Sequence, residues 1–226
     1  MTSTETAETA KGKINDSRTF GNLEYYGYTY GIARHDQGNA HATFWYRDDI
    51  VIAVSSTINH PFGSWIRTNS GVILNNQMNS FSTPGETERN EKSPSTANYI
   101  APRKRPMSSM APTVVVGSDG KAVLALGGTG GSFLASGIAM VTTRVLWQCN
   151  MISDSIDKPR LHNQLVPSDL MVEPSYPQDN ITALKNLGHN VTKRCGMFNI
   201  VSGVQQKEGR IYPYSDPRIP YVEESK

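Results

Sequence analysis

The chain has 226 residues, enough for one sizeable domain and short for two. Hydrophobic residues make up 37% and charged residues 19%, which is the ordinary globular range. The net charge of +2 is too small to indicate a polyanion partner, so we expect no nucleic-acid binding.

The first predicted elements divide the chain near residue 38. Residues 1–38 are polar without a clear apolar period, which predicts a tail or linker with a short helix near its start. Residues 41–46 and 50–56 then flank Arg47-Asp48-Asp49, which predicts a β-hairpin. We therefore expect a folded domain over residues 39–226.

The middle of the chain predicts a layered fold. Apolar runs at 72–74, 114–116 and 123–126 predict short strands, the last two joined by the turn Gly117-Ser118-Asp119-Gly120. Because the runs are continuous, we expect strands buried on both faces, and such a sheet needs cover on each side. Residues 81–107 read as a long polar loop, which is usually functional or mobile.

Helices and a second hairpin complete the prediction. Apolar residues at helical spacing within residues 132–149 predict one helix, and residues 178–187, ending before Gly188, predict another. Residues 197–205 and 210–214 predict a hairpin around a turn at 208–209. Hairpin-paired strands that carry helices fit a layered, mostly antiparallel α/β sandwich.

Membrane and metal signals are absent from the sequence. No stretch reaches the roughly 18 uninterrupted apolar residues of a spanning helix. The five histidines show no close H-x-x-x-H pairing, so we expect no metal and no cofactor. Cys149 and Cys195 form no C-x-x-C motif; one disulfide or two buried thiols are both compatible with the sequence, and the thiols are favoured.

Three N-glycosylation sequons begin at Asn15, Asn180 and Asn190. Because chance supplies some sequons at this length, they are mild evidence for a secretory route. Residues 1–10 lack the apolar core of a signal peptide. If the route is real, we expect the signal or anchor upstream of this chain, and an extracellular or cell-surface product.

Several short motifs resemble, in their order, the small subunit of γ-glutamyltranspeptidases, which are N-terminal-nucleophile hydrolases. They are Ser56-Thr57-Ile58-Asn59 with Phe62-Gly63-Ser64, Ser70 to Met78 (SGVILNNQM), Pro106 to Thr113 (PMSSMAPT), Gly130-Gly131, Pro159 to Gln164 (PRLHNQ), and Ser215-Asp216-Pro217-Arg218. The resemblance covers about residues 38–218. It implies a four-layer αββα sandwich with largely antiparallel sheets, incomplete without large-subunit strands. The implied partner is a large-subunit-like chain or an upstream precursor segment, and residues 1–38 are either a linker or the end of that large subunit.

The family's nucleophile is a threonine that a precursor frees by cleaving itself, within a Gly-Thr-x-His motif. Counting back from Asn59 aligns Gly38, Asn39 and His41 with that motif, so the nucleophile position carries asparagine. An asparagine has no hydroxyl for the attack or for the acyl shift that frees the N-terminus. The resemblance therefore implies an inactive relative.

The other implied site positions are mixed. Thr57 matches a threonine that hydrogen-bonds the nucleophile, although an ordinary β-branched strand residue explains it equally well. Asn59 and Gln77 match positions that hold the α-amino and α-carboxylate end of the glutamyl group. Ser80 stands where the family has an acid that binds the substrate ammonium, a contact worth about 1.5–3 kcal/mol.

Two further pairs are implied by the resemblance. Ser108 and Ser109 match hydroxyls that bind the substrate carboxylate, and a helix cap or turn pair is the plain alternative. Gly130 and Gly131 match the oxyanion hole, within a run of glycines that a tight strand-to-helix turn explains as well. The run lacks the Lys-Ser/Thr of a phosphate loop.

Three functions stay open. The favoured one is a pseudoenzyme that acts as a binding or competing scaffold, with a glutathione-like small molecule as a possible ligand. The alternative is an active glutathione hydrolase or γ-glutamyl transferase, which needs a replacement nucleophile. A third is a small-subunit-only product with an unrelated role.

Overall fold

The computed structural model describes residues 3–27, 38–47, 50–86, 94–196 and 198–219. Within these ranges the helices are α1 (Thr4–Gly12), α2 (Leu134–Leu146), α3 (Ile152–Asp157) and α4 (Gln178–Asn186). The strands are β1 (Ala40–Tyr46), β2 (Ile50–Ser56), β3 (Thr113–Val116), β4 (Ala122–Thr129), β5 (Leu161–His162), β6 (Leu170–Val172), β7 (Val191–Lys193), β8 (Ile200–Lys207) and β9 (Arg210–Tyr214).

Strands β1 and β2 form the predicted antiparallel hairpin. Its register places Phe44 opposite Ile52 and Tyr46 opposite Ile50. Burial alternates strictly along both strands, so one face packs inward and the other is exposed. The inward face carries His41 and Ser55, which determine how closely the hairpin approaches the next sheet.

A four-stranded antiparallel sheet in the order β3-β4-β8-β9 forms the centre. The turn at 117–120 joins β3 to β4, and the late hairpin β8–β9 turns at Glu208 and Gly209, as predicted. The predicted start of that hairpin, residue 197, lies outside the described residues. A smaller sheet, β5-β6-β7, contains one parallel pair between β6 and β7.

The core lies between the central sheet and the helices α2 and α3. Leu124 and Leu126 of β4 join Leu134, Ile138 and Ile156 in one buried cluster. On the other side of β4, Gly127 faces the ring of His41 in the hairpin. The order is therefore hairpin, central sheet, helices, and the antiparallel α/β layers predicted from the sequence are confirmed.

The outer face of the hairpin is exposed and apolar. It consists of the alternate side chains Phe44, Tyr46, Ile50, Ile52 and Val54, all at least 45% exposed. A contiguous apolar face of this kind is what an uncovered layer of a sandwich presents. The finding agrees with a fold that is incomplete in this chain alone.

Some predictions about individual elements were wrong. Residues 72–74 form no strand, and Ile73 makes only one isolated bridge, to Arg67. Strand β3 is not buried on both faces, since Val114 and Val116 are exposed, whereas β4 is. Cys149 and Cys195 are free, as favoured, but both are exposed rather than buried.

The N-terminal segment begins with the short helix that was expected. Ser3 caps α1, its hydroxyl accepting from the N–H of Thr6 at 3.2 Å. Farther on, the N–H of Thr19 donates to the carbonyl of Leu187 at 2.8 Å. The next residue, Gly188, follows the end of α4 in a left-handed conformation with φ +92°. A separate tail over residues 1–38 stays a prediction. No helix in the described ranges is long and apolar enough to cross a membrane.

Candidate functional site

Asn39 lies at the entrance to β1, held against the end of β4. Its backbone N–H donates to the hydroxyl of Thr129 at 3.0 Å, and its side-chain Nδ2 donates to the carbonyl of Gly128 at 2.6 Å. A longer bond of 3.3 Å joins Nδ2 to the carbonyl of Ala40. The carboxamide nitrogen is therefore engaged with main-chain carbonyls, and the residue supplies no hydroxyl at this position.

Thr57 lies beside Asn39, and its hydroxyl both donates and accepts a hydrogen bond. The hydroxyl donates to the carbonyl of Gly38 at 2.7 Å and accepts the N–H of Asn59 at 2.9 Å. It thus connects the residue before Asn39 with the segment after β2. Both contacts are with main-chain groups, which an ordinary structural threonine can also make, so the role of Thr57 stays a prediction.

A cluster of neutral polar side chains continues from Asn59. The Nδ2 atom of Asn59 donates to Asn76 Oδ1 at 3.1 Å, and the hydroxyl of Ser80 approaches Asn59 Oδ1 at 3.5 Å. Gln77 Nε2 donates to the Ser80 hydroxyl at 2.8 Å, while Gln77 Oε1 is buried and has no hydrogen-bond partner among the described residues. Asn59, Gln77 and Ser80 thus lie together, and their contacts with the described residues involve no carboxylate.

Asn98 supports this cluster from the long loop, a role that the sequence did not reveal. Its Nδ2 donates to the carbonyl of Ser80 at 2.9 Å, and its Oδ1 accepts the N–H of Met107 at 2.9 Å. The loop therefore approaches the cluster next to the Ser108-Ser109 pair. The hydroxyl of Ser108 accepts the N–H of Met110 at 3.2 Å, the turn geometry that was its alternative reading. Neither serine has a bond to Asn39, Asn59 or Gln77 in the described part of the chain.

The glycines after β4 allow unusually close approaches. A Cβ on Gly130 would lie 2.6 Å from the Cβ of Asn199, and the backbone of Gly130 has φ +146°. Gly131 has φ +58° and begins the turn into α2. Since Gly130 directly follows Thr129, which binds the Asn39 N–H, the turn lies next to Asn39, as an oxyanion hole would require.

His41 fixes the position of the hairpin beneath this site. Its Nδ1 lies 2.9 Å from the Ser55 hydroxyl and its Nε2 lies 2.9 Å from the Thr43 hydroxyl. Burial lowers the pKa of His41, which outweighs the raising effect of a backbone contact with Val54. The imidazole is therefore neutral near pH 7, and its ring packs closely against Gly127.

Two cavities adjoin the strand ends. One of about 380 Å³ lies beside Asn39, lined by residues 38–40 and 56–62. A second, of about 640 Å³, lies beyond the Gly130 turn, and its lining includes Thr129, Asp169 and Arg194. Thr129 thus contacts Asn39 and also borders the second cavity. No cluster able to hold a metal ion occurs among the described residues.

A buried charge network holds the start of α2 in place, and it joins two of the sequence motifs. Arg160 is fully buried; its guanidinium donates to Asp216 at 2.7 Å and to the Oδ1 of Asn199 at 2.7 Å. Arg218 pairs with Glu173 at 2.7 Å and with Asp216 at 3.1 Å. Asn199 in turn donates to the carbonyl of Phe133 at 2.8 Å, so the network supports the Gly130 turn.

The three sequon asparagines are all on the surface. Asn15 lies after α1, where its Oδ1 accepts the N–H of Ser17 at 2.9 Å. Asn180 is exposed in the first turn of α4. The Nδ2 of Asn190 donates to Asp169 at 2.6 Å. Glycosylation of these residues stays a prediction.

Comparisons with known proteins agree on one family. The sequence profile of the γ-glutamyltranspeptidase family matches residues 1–223. Scoloptoxin SSD14 of Scolopendra dehaani is 38% identical over 211 residues, which cover 92% of this chain and 36% of that protein. Glutathione hydrolase 7 of Homo sapiens is 38% identical over 175 residues, which cover 76% of this chain and 26% of that protein.

The solved structures agree with the fold. A crystal structure of a point mutant of Helicobacter pylori γ-glutamyltranspeptidase has a TM-score of 0.70 and 31% identity, and the match covers 79% of this chain and 98% of the matched chain. The prediction of a layered sandwich of the N-terminal-nucleophile hydrolase type is thereby confirmed. The chain spans only about a third of SSD14 and a quarter of the human hydrolase.

Proposed function

Since the chain belongs to the γ-glutamyltranspeptidase family, we propose that it is a member that has lost catalysis and serves as a binding or competing scaffold. The observation that carries this proposal is Asn39. Its side chain offers no hydroxyl and donates instead to the carbonyl of Gly128 at 2.6 Å. A carboxamide committed to a main-chain carbonyl is neither a nucleophile nor the group that shifts an acyl chain from nitrogen to oxygen.

The neutral cluster around Ser80 supports the same proposal. An acid at this position would pair with the ammonium of a glutamyl group, a charge-assisted contact worth about 1.5–3 kcal/mol. Here the Ser80 hydroxyl accepts from Gln77 and approaches Asn59, so neutral contacts stand where the acid would supply a negative charge. A glutathione-like ligand would therefore bind more weakly than it does to a site with the acid.

The alternative is an active glutathione hydrolase or γ-glutamyl transferase. The contacts of Thr57 with Gly38 and Asn59 favour it, because they keep the segment ahead of Asn39 in an ordered position. A replacement nucleophile is still required. Ser55 contacts His41 at 2.9 Å, but the imidazole packs against Gly127 and Ser55 is not among the described residues that line the cavity beside Asn39.

The partner that we propose is the large-subunit-like portion of the same family. It would cover the exposed hairpin face of Phe44, Ile52 and Val54, either as a separate chain or as an upstream segment of one precursor. We also propose a secretory route, which the three exposed sequon positions support.

The deciding measurement is the intact mass of the full-length product from eukaryotic cells, before and after enzymatic deglycosylation. We expect one uncleaved polypeptide that loses glycan mass. Asn39→Thr should then restore cleavage after Gly38 and hydrolysis of a γ-glutamyl anilide, whereas Asn39→Ala, which removes the carboxamide without adding a hydroxyl, should do neither. A wild-type fragment that begins at Asn39 or at a nearby threonine would refute the proposal.

A further inference from the structure

The larger cavity has the features of a ligand site that is separate from Asn39. We propose that it binds the carboxylate end of an amino acid or short peptide, with Arg194 pairing with the carboxylate. The cavity measures about 640 Å³ and opens between the Gly130 turn, the loop before β6 and the end of β7. A volume of this size accommodates a small organic ligand. The proposal does not depend on whether Asn39 is catalytic.

Arg194 is held in place by aromatic rings rather than by acids. Its guanidinium carbon lies 4.4 Å from the ring centre of Phe133 and 5.9 Å from that of Phe198. One amino group lies 3.7 Å from the sulfur of Met171. The ion pairs in the described ranges belong to Arg160 and Arg218, so the positive charge of Arg194 has no carboxylate partner there.

The rings beneath Arg194 are themselves fixed. Phe133 packs on His162 with ring centres 4.1 Å apart and ring planes tilted by 38°, and it meets Phe198 edge to face at 5.6 Å. The guanidinium carbon lies over the Phe133 ring, and the N–H groups of Arg194 can donate to a planar acceptor. A carboxylate matches the edge of a guanidinium with two parallel hydrogen bonds. The arrangement is thus preorganised, which lowers the entropic cost of binding.

The charges around the cavity select the ligand class. Asp169 also lines it, with one carboxylate oxygen accepting from Asn190 at 2.6 Å. One cation and one anion suit a ligand with a single negative charge and a positive or N–H-donating group, and they disfavour a dianion such as phosphate. Ser132 and Thr192 line the same cavity and carry hydroxyls that can form neutral hydrogen bonds. An amino acid or a short peptide has this chemistry.

The test is a ligand-observed NMR titration of the full-length protein with alanyl-alanine, its C-terminal amide and inorganic phosphate. The free dipeptide should bind, and both amidation and Arg194→Ala should weaken binding about tenfold or more, because each removes a charge-assisted pair. Arg194→Lys should retain part of the affinity. The matched control is Lys193→Ala, an exposed neighbouring cation outside the cavity, which should change nothing.

Three results would overturn the proposal: no binding of the dipeptide, equal binding of the amide, or unchanged binding to the Arg194→Ala variant. Tighter binding of phosphate than of the dipeptide would refute the ligand class. None of these results depends on cleavage at residue 39, so a failure here is distinguishable from a failure of the proposed loss of catalysis.

Discussion

Replacing Gly127 by alanine tests how the hairpin that carries Asn39 is positioned. A Cβ on Gly127 would lie 2.6 Å from Nε2 of His41 and closer still to two other atoms of the ring. The ring must therefore move, and its contacts with Ser55 and Thr43, each 2.9 Å, would be lost or lengthened. Overpacking costs about 1–3 kcal/mol, and each lost hydrogen bond about 0.5–1.5 kcal/mol. With both hydrogen bonds lost, we expect Gly127→Ala to lower the free energy of unfolding by about 2–6 kcal/mol.

A double-mutant cycle separates this clash from a general loss of stability. His41→Ala alone should be destabilising, because it removes the two hydroxyl contacts and leaves a gap beneath β4. In the Gly127→Ala/His41→Ala variant the new methyl occupies part of that gap, so the two effects should be less than additive by at least about 1 kcal/mol. Urea unfolding of the full-length protein, followed by tryptophan fluorescence, measures all four free energies. Additive effects, or a negligible cost of Gly127→Ala, would refute the packing argument.

Two further predictions concern buried charge and pH. Asp216→Asn should lower the free energy of unfolding by about 3–5 kcal/mol, because it leaves the guanidinium of Arg160 buried without its counter-charge. Arg218→Gln should lower it less, because the Arg218 side chain is 19% exposed. Equal thermal destabilisation by the two variants would contradict this expectation. Burial lowers the pKa of both His41 and His162 in the folded protein. Around and below the unfolded imidazole pKa of about 6.5, the unfolded chain therefore binds more protons than the folded chain. The free energy of unfolding should consequently fall as the pH is lowered from about 7.5 to 5.5. His162→Asn should lessen this fall, and a variant that shows the same pH dependence as the wild type would exclude a contribution from His162.

The sequence predicted the elements whose patterns are local. The alternation in β1 and β2, the turn between β3 and β4 and the spacing of Leu134, Ile138 and Val141 in α2 all gave correct elements, although α2 is shorter than the predicted span. The run at 72–74 was misleading because apolar residues alone do not supply a neighbouring strand.

The candidate site was predicted only where the family motifs identified it. The contacts of Asn39 and Thr57 agree with their expected neighbourhood, while the roles of the site residues stay predictions. Asn98 carries no local signal, because its importance comes from bonds to Ser80 and Met107 across a long loop. The exposure of both cysteines was likewise missed, since burial depends on packing that distant segments supply.

The buried charge network of Arg160, Glu173, Asp216 and Arg218 also constrains how this sequence can change during evolution. Loss of Asp216 leaves the buried Arg160 without its counter-charge, and loss of Arg218 does the same to Glu173, so these single steps away from the network are penalised. An apolar replacement of the whole set carries no such penalty in principle, yet it is reached only through those costly intermediates. The four residues are therefore expected to be retained or replaced together in related sequences, whether or not the proteins that contain them still perform catalysis.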